Sequence, residues 1–118
     1  MKLEGDGVLV RIFIGDSDRW EGMPLYEAVV QRAREMGLAG ATVFRGFEGF
    51  GAHSLVHSTR ILRLSEDLPI VIEIVDRKEK IDAFLPELDG MIHEGLVTIE
   101  PVQVILYRVR EPGSIHTH

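Results

Sequence analysis

The stretch Pro69–Leu85 reads PIVIEIVDRKEKIDAFL. It opens on an almost continuous apolar run, Pro69 to Val75, the mark of a central strand with both faces covered. Asp76 with Glu79 three residues later is a candidate capping box. Ile81, Phe84, Leu85, Leu88, Met91 and Ile92 then recur at i, i+3, i+4 and i+7, which predicts an amphipathic helix. Pro86 lies inside that helix and removes one backbone donor, so a kink is expected near Asp82 to Pro86. A strand therefore runs straight into a helix that packs back on it.

Downstream, Gly95 ends the unit and Leu96 to Val109 reads as a last strand, with Pro101 marking a bulge or an edge. Upstream, the same pattern occurs once more. Val8, Val10, Ile12 and Ile14 alternate with Leu9, Arg11 and Phe13, a first strand by period two. Gly15 to Gly22 is polar and turn-rich, and Trp20 and Tyr26 are expected to pack near the start of the following helix. Pro24 suits the first helical position. Leu25, Ala28, Val29, Ala33 and Met36 follow at helical spacing, and Gly37 is the stop. Ala41 to Phe44 resumes strand character. Gly46 to Thr59 reads as a loop, with Ile61 to Leu64 as its returning edge. The order β-α-β-β-α-β, with right-handed crossovers, predicts an α+β ferredoxin-like sandwich: a four-stranded antiparallel sheet with both helices on one face. The 118 residues suit one domain. Its core is expected over about 8–110, with a long loop over about 46–63 and a tail at 111–118.

Composition narrows function. Against 19 Asp+Glu stand 13 Lys+Arg, a formal charge of -6, which argues against a nucleic-acid binder driven by bulk charge. Cysteine is absent, which removes disulfides, thiolate zinc sites and cysteine nucleophiles. Met1 to Asp6 is polar and acidic, and no apolar run approaches the ~18 residues of a membrane helix, so a cytoplasmic, not membrane-embedded, protein is expected. The helices cover one sheet face, yet the first and third strands are apolar on both. The bare face would exceed what a monomer tolerates, so a homo-oligomer is expected, the alternative being the long loop folded over it.

The most specific motif is GATVFRGFEGFG, Gly40 to Gly51. A strand runs into Arg45 and the glycines Gly46, Gly49 and Gly51, where amides could converge on an anion and a guanidinium could fork onto phosphate. The spacing matches neither the dinucleotide fingerprint nor the P-loop, and a glycine-rich hinge explains it as well. His53 and His57, four apart, are weak metal candidates without a third ligand. Arg60 and Arg63 lie where the loop rejoins the sheet, and Arg108 and Arg110 close the last strand; all four sit near element ends where they could surround a polyanion or simply be solvated. Ser54, His57 and Asp67 make a hydrolase triad only on paper, and no nucleophile elbow accompanies them. No catalytic residue is expected. His116 and His118 belong to the tail.

These residues carry a resemblance. Gly40 to Gly46, Gly49-Phe50-Gly51, His57, Leu64 to Asp76 and Gly95 to Thr98 resemble the uncharacterised family called domain of unknown function one-ninety, over about Val8 to Tyr107. That family is similar in turn to the PII nitrogen-regulatory proteins, through Gly40, Thr42-Val43, Gly49-Phe50-Gly51, Ile72 to Val75 and Arg108-Val109-Arg110. The resemblance implies a homotrimer, an adenine nucleotide or similar small anion between subunits, and a long loop that meets a partner: a membrane transporter or channel, or another regulated protein. It implies Gly49 and Gly51 against phosphate at the loop's base, and Arg108 and Arg110 reaching phosphate from the last strand. The phosphate-loop lysine of PII is missing from Gly90 to Leu96, and Ala52-His53-Ser54 replaces its glutamine-lysine pattern, so a smaller nucleotide or another anion is expected rather than ATP with magnesium. The expected class is a regulator and not an enzyme. Two alternatives share the architecture: a metal-linked tolerance protein using His53 and His57, and a ligand-free interaction module for a channel or transporter.

Overall fold

The computed structural model describes residues 3–50, 57–58 and 67–110. Strand β1 spans Gly5–Gly15, and Arg19–Trp20 (β2) and Met23–Pro24 (β3) form a small hairpin that leads into helix α1, Leu25–Glu35. Strand β4 is Thr42–Arg45, and β5 (Glu48–Gly49) pairs with β6 (His57–Ser58). Strand β7, Pro69–Asp76, precedes helix α2, Lys78–Met91, and β8, Leu96–Val104, closes the sheet. The main sheet has the order β4-β7-β1-β8, every pair antiparallel. This is the expected ferredoxin-like plan.

Alternation sorts the side chains. Val10, Ile12 and Ile14 of β1 and Ile70, Ile72 and Ile74 of β7 are buried on the helix side. They meet Leu25, Ala28, Val29 and Ala33 of α1 and Ile81, Phe84, Leu88 and Met91 of α2. Each such large apolar side chain contributes roughly 1.5–3 kcal/mol by leaving water, so this layer holds the fold. Trp20, Met23 and Tyr26 pack against its margin, as expected at the start of the first helix.

The opposite face carries a transverse apolar row. Phe44 lies opposite Val71, Val71 opposite Phe13, and Phe13 opposite Leu96. Phe44 and Leu96 are half exposed. The neighbouring row, Thr42, Glu73, Arg11 and Thr98, is polar. Arg11 at its centre is neutralised by Glu73 at 2.9 Å and by Glu100 at 3.2 Å. The hydrogen bond to Glu73 is the first cause that raises the guanidinium's pKa.

Three local expectations are corrected. The last strand stops at Val104 rather than Val109, because Val104 already faces Gly5, the first residue of β1. The capping box does not form: Arg77 is the N-cap of α2, with no side-chain cap. Asp76 is instead fully buried at the end of β7. The polar stretch after β1 contains the β2–β3 hairpin, turned through Glu21 (φ 49°) and Gly22 (φ 83°). Helix α2 runs as one element from Lys78 to Met91 with Pro86 inside it.

Candidate functional site

The expected anion-binding residues fall at two ends of the sheet. Arg45 lies opposite Ile70, which lies opposite Ile14, near the end of β1. Arg108 and Arg110 follow Val104, which lies opposite Gly5 at the start of β1. The strand from Gly5 to Ile14 spans about 30 Å at a rise of about 3.3 Å per residue. One protomer therefore does not bring Arg45 together with Arg108 and Arg110.

The first end is built around the turn Gly15–Asp18. The Asp16 N–H donates to the Leu68 carbonyl at 2.8 Å, and the Ser17 N–H to Asp67 Oδ1 at 2.7 Å. Gly15 is tightly confined: a Cβ there would lie 2.4 Å from Asp67 Oδ2. The Gly15 N–H donates to Asp18 Oδ2 at 2.9 Å. Burial first, then the charges of Asp67 and Glu94, push the Asp18 carboxyl above its ordinary range, while the Gly15 amide opposes them. Arg45 Nη2 donates to Asp16 Oδ1 at 3.0 Å. The hydrogen bond to Asp16 is the first cause that raises the Arg45 pKa, and the neighbouring Tyr26 hydroxyl adds to it. This turn thus touches both roots of the long loop, Arg45 before it and Asp67–Leu68 after it.

The glycines at this end have a packing explanation. A Cβ on Gly46 would lie 2.8 Å from Pro69 Cγ, and one on Gly49 would lie 3.1 Å from the same atom. The Gly46 N–H already donates to the Pro69 carbonyl at 2.7 Å, so it is not free for an anion. Positive φ occurs elsewhere among the described glycines, at Gly5, Gly22, Gly37 and Gly95. Gly51, His53 and the side chain of His57 lie outside the described residues, as do Ser54, Arg60, Arg63, the returning edge Ile61 to Leu64 and the tail at 111–118. Among the described residues no group of three His, Cys, Asp or Glu side chains could hold a metal ion.

At the second end the chain leaves β8 as an irregular segment. The Tyr107 N–H donates to Glu4 Oε2 at 3.1 Å, and its hydroxyl reaches the Ala39 carbonyl at 3.4 Å. These contacts hold the segment beside the turn after α1, with Arg108 and Arg110 exposed. A recess of about 210 Å³ lined by Val30, Ala33, Arg34 and Leu38 to Ala41 lies beside it. That is below the roughly 300–1,000 Å³ of ordinary small-molecule pockets. Sequence reasoning missed the parts played by Asp16, Asp67 and Tyr107. Their contacts join residues 29, 50 and 68 positions apart, which no local pattern announces.

The comparisons agree with this architecture. The model of the DUF190 family, described as Uncharacterized ACR, matches residues 7–104. A UPF0166 protein of Aquifex aeolicus is 44% identical over 97 residues, covering 82% of this chain and 91% of its own. Among solved structures, CPII of Thiomonas intermedia K12, a nitrogen regulatory PII-like protein bound to ADP, AMP and bicarbonate, superposes with a TM-score of 0.63 at 18% identity, over 88% of this chain and 99% of that one. A putative PII-like signaling protein of Thermus thermophilus superposes at 0.62 with 19% identity, over 89% and 94%. The fold is PII-like. Among the described residues no helix is long and apolar enough to cross a membrane.

Proposed function

The chain belongs to the uncharacterised DUF190 family, and from that premise we propose that it is a PII-like regulator that binds an adenine nucleotide or similar small anion between subunits. The carrying observation is the separation of the candidate cations. Arg45 stands at one end of the sheet and Arg108 and Arg110 at the other, so a site using both sets closes only where two copies meet. The apolar row Phe44–Val71–Phe13–Leu96 gives those copies a surface to share, and the internally neutralised Arg11 lets the face be covered. The assembly in this reading is a homotrimer. Arg45 and the base of the long loop, with Gly49 and Gly51, come from one subunit, and Arg108 and Arg110 from its neighbour. Gly46 serves by its close approach to Pro69, which sets the position of Arg45.

ADP, AMP and bicarbonate in the CPII structure support a small adenine nucleotide as the ligand class. The missing phosphate-loop lysine between Gly90 and Leu96 points the same way. The reading makes the protein a cytoplasmic regulator and not an enzyme, acting on a partner through its long loop. A ligand biases that loop only through its differential affinity for the loop's states. Calorimetric titration with ATP, ADP, AMP and cyclic AMP is the test. Saturable binding of at least one, at one site per subunit interface, supports the reading, and no heat with any of them at millimolar concentration overturns it.

A further inference from the structure

We infer that Asp16 is a built-in competitor for Arg45, so that an anion must contend with this carboxylate before it engages the guanidinium. The inference rests on the proposed anion site and concerns its regulation. Asp16 Oδ1 accepts from Arg45 Nη2 at 3.0 Å, and the two side chains are 29% and 52% exposed. Both partners are anchored by backbone. Asp16 is held by its own N–H on the Leu68 carbonyl at 2.8 Å and by the next amide on Asp67 at 2.7 Å. Arg45 is held by the following amide, Gly46, on the Pro69 carbonyl at 2.7 Å. The backbone thus sets the two residues side by side, while the side chains stay partly exposed and the pair keeps the modest strength of a surface ion pair.

The chemistry follows from the shape of the guanidinium. Arginine presents five donors in a planar fork, and one of them, on Nη2, is already given to Asp16. An incoming phosphate must either displace the carboxylate or bind the remaining donors beside a like charge. Either route lowers affinity: displacement costs every anion the same Asp16–Arg45 pair, and binding beside the carboxylate adds a repulsion that grows with the anion's own charge. Asp16 therefore raises the concentration at which an anion occupies Arg45. Displacement would also free a carboxylate on the turn that meets both roots of the long loop, which links occupancy at Arg45 to that turn.

The experiment is a double-mutant cycle on the full chain in its native assembly, with ADP as the probe in calorimetry. Asp16→Asn should bind ADP about two- to fivefold more tightly, the scale of an exposed ion pair. Arg45→Gln should weaken binding by about fivefold or more, the loss of a charge-assisted contact. In the Arg45→Gln background, Asp16→Asn should change affinity by less than about twofold, since only the distant charge effect remains. If Asp16→Asn binds no more tightly while Arg45→Gln binds more weakly, the competition is refuted and the nucleotide reading stands. If Arg45→Gln binds as the wild type does, the inference falls as well. If no variant binds ADP but AMP or cyclic AMP does bind, the cycle is run with that nucleotide and read in the same way; if none binds, both readings fall. Should Asp16→Asn melt well below the wild type, Asp16→Ser, which keeps a small polar side chain in the turn, replaces it.

Discussion

Asp76 Oδ2 accepts the Ala39 N–H at 2.8 Å, tying the end of β7 to the turn after α1. The same carboxylate accepts the Arg77 N–H at 2.7 Å through Oδ1. Asp76 is fully buried. Asp76→Ala would leave two amides without this acceptor, each costing about 1–3 kcal/mol where water cannot replace it. The expected loss is about 2–4 kcal/mol in chemical denaturation, with Asp76→Asn losing less because one acceptor oxygen survives. An alanine variant as stable as the wild type would show that the buried carboxylate does not hold this corner.

Gly95 stands where β8 begins, and a Cβ there would lie 2.8 Å from the Phe13 carbonyl and 3.1 Å from Ile14 Cγ2. The carbonyl is backbone in the central strand, so the clash is not relieved by turning a side chain. Gly95→Ala is expected to cost about 1–3 kcal/mol, the usual range for overpacking. Gly90→Ala, where nothing lies within 4 Å, is the matched control and should be neutral or stabilising. Equal melting temperatures for the two variants would contradict this account.

The legible parts of the sequence were those whose pattern is local. Ile70, Ile72 and Ile74, and Ile81, Phe84 and Leu88, announce β7 and α2 because burial repeats at the period of each element. The apolar segment Ile105 to Val109 continues to look like a strand, but β1 has no further residue in the ladder beyond Gly5, whose φ of 109° breaks the extended backbone. The β2–β3 hairpin escaped notice because its turn uses Glu21 before Gly22, where Asn or Asp is the usual signal. At the site, three glycines near an arginine fit both an amide cradle and a close approach. Only the fold reveals that Pro69 fills the space at Gly46 and that its carbonyl accepts the Gly46 N–H.

Acid sensitivity should show at the Gly15–Asp18 turn. Burial first, with Asp67 and Glu94, raises the Asp18 carboxyl above its unfolded value. The native state therefore holds its proton to higher pH than the unfolded chain does. Between the unfolded and folded pKa values the native state binds more protons, so this group's contribution to stability falls as pH rises and is level above that window. Asp18→Asn cannot lose a proton. Its stability relative to the wild type should rise as pH climbs from the ordinary aspartate range through the raised folded value and then stay constant, read from urea melts across the acid range. A difference that does not change with pH would remove Asp18 from the cause.

The open face offers the most direct check on assembly. Phe13 is 37% exposed and Leu96 56% exposed, side by side in the row that runs from Phe44 through Val71. Ile12 and Ile14, on either side of Phe13 in β1, point into the helix-side core. A charge introduced at Phe13 or Leu96 therefore meets solvent in an isolated subunit and an apolar surface in an assembled one. Removing a large apolar side chain from an interface forfeits roughly 1.5–3 kcal/mol per copy, and burying an unpaired carboxylate costs more. Phe13→Glu and Leu96→Glu should each shift the molecule from the proposed trimer to monomer in light scattering, with the dissociation constant raised by about a hundredfold or more. Circular dichroism should keep its helical signal, because α1 and α2 pack on the other side of the sheet. Lys78→Ala, on the exposed start of α2, should leave the mass unchanged. A glutamate variant that assembles like the wild type would mean the copies meet elsewhere, and a wild type that is monomeric would leave Arg45 and the pair Arg108 and Arg110 on separate surfaces.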